Sequence, residues 1–162
     1  MGVKELLHKA YTGEAKAVLR LKVFADKAEE EGYPQIAKLF RVISFSEEIH
    51  GTRSLKMLKE IKSTEENLAS SFESETQVAE VAYSEFLKEA EKEDNNQAAL
   101  LFSQSRDVEQ THSKLYKKAM GHMAAESETT YYVCKVCGYV ADAILPDECP
   151  VCSAKKEQFV EF

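Results

Sequence analysis

Apolar residues recur every three or four positions through most of the first 120 residues, which is the spacing of one face of an α-helix. The pattern predicts a first helix over residues 3–31 and a second over about 35–61. Gly32 between them suits a helix C-terminus, and Pro34 suits the first turn of the helix that follows. These two helices should therefore form a hairpin.

A second pair of helices follows the first. Ser63 and Glu66 have the spacing of a capping box, so the third helix should begin near Thr64. The polar stretch EDNN marks a turn, and the fourth helix should end near Met120. The expected fold is thus mainly α-helical, with two hairpins.

The two hairpins look like copies of each other. Residues 28–40, AEEEGYPQIAKLF, match residues 90–102, AEKEDNNQAALLF, at an offset of 62. Glu14 in the first copy pairs with Glu75 in the second at an offset of only 61. The second copy must therefore absorb one extra residue between Glu75 and Phe86. A π-bulge in the third helix would absorb it, and such bulges are frequent at functional sites.

Six polar residues lie on helical stripes that should be apolar. A buried carboxylate costs several kcal/mol unless it is paired or binds a metal, and four carboxylates with two imidazoles bring too little positive charge to pair off. Two metal cations would balance them, in the Glu and Glu-x-x-His pattern of ferritin-like di-iron bundles. The six residues are Glu14, Glu47, His50, Glu75, Glu109 and His112.

The competing interpretation is a solvated helix face, which is the usual setting of a single Glu-x-x-His. Two copies with matching Glu residues make that interpretation much weaker. Glu48 should point away from the site, and Asp107 is off the stripe. His8 and His122 have no carboxylate at ligand spacing, so we expect them on the surface or in a linker.

All four cysteines lie near the C-terminus, as Cys134-x-x-Cys137 and Cys149-x-x-Cys152. Two such pairs predict a tetrahedral thiolate site for iron or zinc, and a structural zinc ribbon is the plainer alternative. The expected organisation is a four-helix di-iron domain over 1–120, a linker over 121–130 and a four-cysteine iron domain over 131–162.

Composition narrows the function further. The net charge of −7 disfavours nucleic acid as a partner. No apolar run approaches the roughly 20 residues that span a bilayer, and the first residues lack the apolar core of a signal peptide. We therefore expect a soluble, cytoplasmic protein without a membrane partner.

The motifs GEA, AEEEGYPQIAKLFR, EEIH, SET, VEQTH and YVCKVCGYVADAILPDECPVC together resemble the rubrerythrin family. The resemblance implies a ferritin-like domain with a rubredoxin-like tail, acting in oxidative-stress defence as a peroxidase that reduces hydrogen peroxide. Electrons would come from a rubredoxin or an NAD(P)H-dependent reductase. The six Glu and His residues would hold two irons, with Glu47 and Glu109 bridging, and Cys134, Cys137, Cys149 and Cys152 would hold a third iron. Zinc or manganese could substitute for iron.

One departure from the family pattern changes the expectation. Many rubrerythrins carry a further Glu three residues after the third-helix ligand, where this chain has Val78. Its absence leaves a dioxygen reductase or ferroxidase as the alternative activity, and iron binding or storage as an alternative of another class. Tyr83 is either a hydroxyl close to the site or a plain core residue.

The chain length between the ligands predicts how the protein assembles. In a ferritin-like bundle the second and third helices run parallel, so the connection must span about 30 Å. The few residues between the predicted helices reach only about 10–14 Å. We therefore expect a domain-swapped homodimer, in which each di-iron site takes ligands from both chains.

Overall fold

The computed structural model describes residues 2–122 and 129–162, so most of the predicted linker over 121–130 lies outside the described residues. The chain divides into two units, residues 1–62 and residues 63–162. The first unit is one helical hairpin. The second contains the other helices and a small sheet.

The hairpin of the first unit consists of α1 (Val3–Glu30) and α2 (Pro34–Leu58). Gly32 has φ +79°, which caps α1, and α2 begins at the predicted proline. The prediction that α2 continues to about residue 61 is wrong. Lys59 adopts a left-handed conformation with φ 56°, and its N–H bonds the Lys56 carbonyl, so the helix ends three residues early.

Small residues form the contact between α1 and α2. The Ser44 hydroxyl donates to the Val18 carbonyl at 3.0 Å, a bond that crosses from one helix to the other. Because small side chains let two backbones approach closely, the hairpin packs tightly but buries few large apolar groups of its own. The buried residues of this contact are Ala25, Ala28, Ala37, Ser44, Gly51 and Leu58.

In the second unit, α3 (Thr64–Gln77) begins at the predicted capping box, where the Glu66 N–H donates to the Ser63 hydroxyl. A π-helical segment over Val78–Ala82 joins it to α4 (Tyr83–Lys92). This segment confirms the predicted π-bulge and lies between Glu75 and Phe86, where the repeat slips by one residue. Beyond the turn at Asp94, α5 covers Asn96–His122.

The C-terminal residues form a three-stranded antiparallel sheet in the order β2-β1-β3. Val133 of the central strand pairs with Val140 on one side and Val160 on the other. Four helical stretches followed by a small cysteine-rich sheet match the predicted fold class. Among the described helices, none combines the length and apolar character needed to cross a bilayer. The strands are β1 (Tyr131–Cys134), β2 (Val140–Asp142) and β3 (Phe159–Glu161).

Candidate metal centres

The first ligand group, Glu14, Glu47 and His50, lies where α1 meets α2. One ligand atom from each residue lies within 4.8 Å of the others. The three-residue spacing on α2 brings His50 Nδ1 to 3.1 Å from Glu47 Oε2. Gly51 allows the close approach of α1, because a Cβ at this position would lie 3.4 Å from Glu14 Cβ.

The second ligand group, Glu75, Glu109 and His112, lies where α3 meets α5. Its ligand atoms also lie within 4.8 Å of one another, and His112 Nδ1 is 3.0 Å from Glu109 Oε2. All six predicted Glu and His residues thus fall into two groups of three. Each group offers two carboxylates and one imidazole, a donor set that suits iron, zinc or manganese.

Two carboxylates of the second ligand group lie close enough to perturb each other. The pKa of Glu75 is raised to about 7, first by burial and then by its hydrogen bond to Glu109 and the Glu109 charge, while the His112 charge opposes the shift. The pair therefore tends to keep a proton near neutral pH. A metal cation would stabilise the ionised carboxylates and displace that proton.

A pair of hydroxyls joins α3 to α5 beside the second ligand group. The oxygens of Thr76 and Ser113 are 2.8 Å apart, one residue after Glu75 and one after His112. The Thr76 hydroxyl donates to the Phe72 carbonyl at 2.8 Å, so Ser113 is the donor to Thr76. Sequence reasoning missed this pair, since isolated Thr and Ser residues in helices carry no pattern.

The outer nitrogen of His112 also has a partner. Nε2 lies 3.4 Å from the Gly138 carbonyl oxygen, at the long end of hydrogen-bond range. Because a carbonyl only accepts, this contact is a hydrogen bond when Nε2 carries a proton, just as the Glu109 carboxylate accepts a proton carried by Nδ1. The two groups are 26 positions apart in sequence, and nothing in the sequence signals that they would meet.

The four cysteines converge as predicted, and all four are free thiols. Cys134 Sγ lies 3.7 Å from Cys152 Sγ, and Cys137 Sγ lies 3.6 Å from Cys149 Sγ. A tetrahedral site with metal–sulfur bonds of about 2.3 Å needs sulfurs about 3.8 Å apart. The four-cysteine group therefore fits a tetrahedral iron or zinc ion.

Matching turns build the two halves of the four-cysteine group. The Gly138 N–H donates to the Cys134 carbonyl and the Ser153 N–H to the Cys149 carbonyl, both at 2.9 Å. Gly138 and Ser153 both have positive φ, 84° and 59°. The geometry of each Cys-x-x-Cys turn is thus set by the residue that follows it.

The surroundings of the sulfurs differ. Burial raises the pKa of Cys134, but hydrogen bonds from the N–H groups of Cys137 and Val136 outweigh it, so the net shift is downward. Burial raises the pKa values of Cys137 and Cys152. A bound cation would supply the positive charge that keeps all four sulfurs as thiolates.

The structure also places the residues that sequence reasoning set aside. Glu48 is exposed, and Asp107 pairs with Arg106 at 3.0 Å. His8 does have a carboxylate partner, distant in sequence, because its Nε2 lies 3.0 Å from Glu60 Oε1. The side chain of His122 lies outside the described residues.

The ring of Tyr83 belongs to an aromatic cluster in the second unit. Its centroid lies 5.6 Å from that of Phe86 and 6.3 Å from that of Phe102. These contacts favour the core interpretation of Tyr83.

Comparison with known proteins finds two matching family models. The family model for rubrerythrin matches residues 5–66, and the model described as the rubrerythrin, rubredoxin-like domain matches residues 132–160. Rubrerythrin from Porphyromonas gingivalis is 30% identical, over 93% of this chain and 84% of that protein. Rubrerythrin-2 from Clostridium acetobutylicum is 28% identical, over 98% of this chain and 95% of that protein.

Nigerythrin is similar in both sequence and structure. The protein from Nitratidesulfovibrio vulgaris is 27% identical, over 98% of this chain and 85% of its own length. A solved structure titled as the fully reduced, all-ferrous state of nigerythrin superposes with a TM-score of 0.62 and 27% identity. That superposition covers 100% of this chain and 88% of the nigerythrin chain.

Fold and site together define a ferritin-like, metal-binding protein with a rubredoxin-like domain. More particularly, the chain belongs to the rubrerythrin family.

Proposed function

We propose that this protein is a non-haem di-iron peroxidase that reduces hydrogen peroxide to water in cytoplasmic defence against oxidative stress. The reaction consumes one peroxide, two electrons and two protons and forms two waters. The observation that carries the proposal is the presence in one chain of two Glu, Glu, His groups and a four-cysteine group. The first two suit a pair of irons, and the third suits an electron-relaying iron.

The two ligand groups would together hold the two irons. Their four carboxylates balance the charge of two divalent cations. Carboxylates on a solvated helix face would need no such cations. Glu47 and Glu109 would each hold a metal together with the imidazole three residues further along the same helix. When bound, the irons would supply Lewis acidity and electrons for cleavage of the O–O bond.

The chain's own residues fix the geometry of that site. Each His presents Nδ1 beside a Glu oxygen, at 3.1 Å in the first ligand group and 3.0 Å in the second. Gly51 holds α1 against α2, and the Thr76–Ser113 pair holds α3 against α5. The ligands are therefore positioned within each hairpin before the two groups combine.

The four-cysteine group is proposed to receive electrons from a rubredoxin or an NAD(P)H-dependent reductase. The domain limits that go with this proposal are 1–120 for the di-iron domain, 121–130 for the linker and 131–162 for the four-cysteine domain. Iron is the proposed metal both for the two ions at the Glu and His groups and for the one at the four-cysteine group. Zinc or manganese could substitute for it.

A second copy of the chain is proposed to complete each di-iron site. From His50 to the end of α2 is about 12 Å, and from the start of α3 to Glu75 is about 16 Å. With parallel helices the connection must span the sum, about 28 Å. The six steps from Leu58 to Thr64 reach only about 20–22 Å. A domain-swapped homodimer removes this conflict.

Large apolar side chains on the ligand-bearing face of α2 support the same assembly. Ile43 and Met57 share the helical stripe of Glu47 and His50, and they are 40% and 67% exposed in the single chain. Packing against the helices of a second copy would remove that surface from water. A monomer that carries both irons in light scattering would contradict the dimer.

Anaerobic stopped-flow spectroscopy tests the proposed activity. The iron-loaded, fully reduced protein is mixed with hydrogen peroxide or with air-saturated buffer, and the ferric thiolate absorbance is followed. We expect much faster reoxidation by peroxide. The Glu109→Ala/His112→Ala variant, which keeps the four-cysteine group, is the control and should reoxidise slowly with both oxidants.

The alternative activity is that of a dioxygen reductase or ferroxidase, and Val78 is the observation that favours it. Reoxidation by dioxygen at least as fast as by peroxide would establish that alternative and overturn the peroxidase proposal. The Val78→Glu variant sharpens the test, because it restores a carboxylate at the start of the π-helical segment. If Val78 weakens the preference for peroxide, this variant should strengthen it.

A further inference from the structure

The four-cysteine domain contacts α5 at three points spread over about three turns of the helix. A Cβ on Gly138 would lie 3.9 Å from Val108 Cγ1. The Gly138 carbonyl faces His112 Nε2. Further along, the Lys118 ammonium donates to the Asp142 carboxylate on β2. The middle contact involves a proposed metal ligand, and the last is an ion pair that the proposed function does not use.

Asp142 is the better fixed member of the ion pair. Its side chain is 17% exposed, and its other oxygen accepts a hydrogen bond from the Thr129 hydroxyl at 2.8 Å. The bond from Lys118 is the main cause that lowers the pKa of Asp142, with the Thr129 bond second. Asp142 therefore presents an ionised carboxylate to α5 at neutral pH.

A cavity interrupts the packing between α5 and the sheet beside these contacts. A cavity of about 420 Å³ lies between α5 and the sheet, and its lining includes His112, Tyr116, Tyr131 and Val140. Because the contact surface is hollow there, few van der Waals contacts set the position of the sheet over His112. The polar contacts between α5 and the domain are those of His112 with Gly138 and of Lys118 with Asp142.

We propose that Lys118 and Asp142 are positioning residues that hold the Gly138 carbonyl against His112. The inference rests on the proposed function, since it takes His112 as a metal ligand. When a metal replaces the Glu109 contact at Nδ1, the carbonyl on the other side accepts the proton of Nε2 and orients the ring. Loss of such an outer partner typically weakens metal binding 10- to 100-fold.

The test uses the full-length protein with zinc in the four-cysteine group. Cobalt(II) is titrated into the Glu and His groups, and its visible bands give a dissociation constant. Lys118→Glu places two carboxylates face to face. Lys117→Glu is the matched control, since it makes the same charge change one residue away on an exposed position. Lys118→Arg and the exchanged pair Lys118→Glu/Asp142→Lys test for rescue.

We expect Lys118→Glu to raise the cobalt dissociation constant about tenfold. The control, the Arg variant and the exchanged pair should stay within about twofold of wild type. Amide NMR spectra of the same proteins, recorded before cobalt is added, should show shifted Gly138 and His112 signals in Lys118→Glu alone. Wild-type cobalt affinity in Lys118→Glu would overturn the inference while leaving the proposed function intact.

A different result would overturn the proposed function itself. If the wild-type protein takes up no cobalt at the Glu and His groups, the di-iron proposal fails. The amide spectra would then still decide whether Lys118 holds the Gly138 carbonyl against His112. Unshifted Gly138 and His112 amides in Lys118→Glu would overturn that part as well.

Discussion

The two ligand groups carry the same three residue types at nearly the same spacing, yet their surroundings differ. The His50 side chain is 53% exposed, whereas that of His112 is 28% exposed. The outer nitrogen of His112 faces the Gly138 carbonyl, and no such contact is seen for His50 among the described residues. The repeat therefore reproduces the candidate ligands but not the residues that surround them.

The residue after each His shows the difference most clearly. Gly51 and Ser113 occupy equivalent positions, 62 residues apart. Gly51 lets α1 approach α2 closely beside Glu14, while Ser113 bonds Thr76 beside Glu75. The first hairpin positions its ligands by close packing and the second by a hydrogen bond, so the two should respond differently to substitution.

The largest expected effect in this comparison is that of Gly51→Leu. A Cβ on Gly51 would already be in van der Waals contact with Glu14 Cβ at 3.4 Å, so the further carbons of Leu crowd the contact with α1. Overpacking costs about 1–3 kcal/mol, and the better helix propensity of Leu returns less than about 1 kcal/mol. We expect the free energy of unfolding to fall by about 1–2 kcal/mol in urea titrations at fixed protein concentration.

Gly13→Leu is the matched control for that prediction. Gly13 also lies inside α1, but a Cβ there would meet nothing within 4 Å. This variant should be slightly more stable than wild type through helix propensity alone. Equal stability of the two Leu variants would show that the close approach at Gly51 is unimportant.

Glu75→Gln should change how the stability of the metal-free protein depends on pH. The pKa of Glu75 is raised from 4.5 to about 7 in the folded state, so ionisation opposes folding. The penalty is absent below pH 4.5, grows as the pH rises and is complete above about 7. After allowance for solvent screening, we expect the free energy of unfolding of the wild-type protein to fall by about 1–2 kcal/mol as the pH rises from 4.5 to about 7. That of Glu75→Gln should fall by less.

Helical circular dichroism in urea at pH 5 and pH 7.5 measures this difference. Glu73→Gln, an exposed position on the same helix, controls for the loss of one charge. If the free energy of unfolding changed equally between pH 5 and pH 7.5 in the wild-type protein and in Glu75→Gln, the raised pKa would be contradicted.

The smallest expected effect concerns the hydroxyl pair. Thr76→Val and Ser113→Ala should each lower the free energy of unfolding by about 1 kcal/mol. The free energy of unfolding of the double variant should fall about as far as that of Thr76→Val alone, because the two hydroxyls share one bond and only Thr76 makes a second one, to the Phe72 carbonyl. Thr111→Val, whose hydroxyl bonds only within α5, should instead add to Ser113→Ala. Additive losses for Thr76 and Ser113 would argue against the bond.

Local sequence signals predicted the elements that depend on local rules. Gly32, Pro34, the Ser63–Glu66 capping box and the π-bulge were all placed correctly. The end of α2 was not, because apolar periodicity continues beyond the left-handed Lys59 and nothing in that residue type marks a cap. Periodicity shows which face a residue shares but not where a helix stops.

The convergence of each candidate group was predictable in part, since each Glu-x-x-His and each Cys-x-x-Cys rests on spacing within one helix or one turn. The Gly138–His112 contact, the Thr76–Ser113 pair and the His8–Glu60 pair were not. Each joins residues distant in sequence through ordinary side chains or backbone. Such contacts depend on the final packing of elements, which no local pattern encodes.

In the proposed dimer, each di-iron site combines the first ligand group of one chain with the second ligand group of another. Complementation between two inactive variants tests it most directly. One variant is Glu47→Ala/His50→Ala and the other is Glu109→Ala/His112→Ala. They are co-expressed in equal amounts, and peroxidase activity is measured in the purified mixture.

In a swapped heterodimer, one site receives both damaged groups and the other receives both intact groups. Half of the dimers should be heterodimers, so about a quarter of the wild-type sites should be restored. Each variant alone should remain inactive. If each site formed within a single chain, every site in the mixture would keep one damaged group, and an inactive mixture would contradict the account.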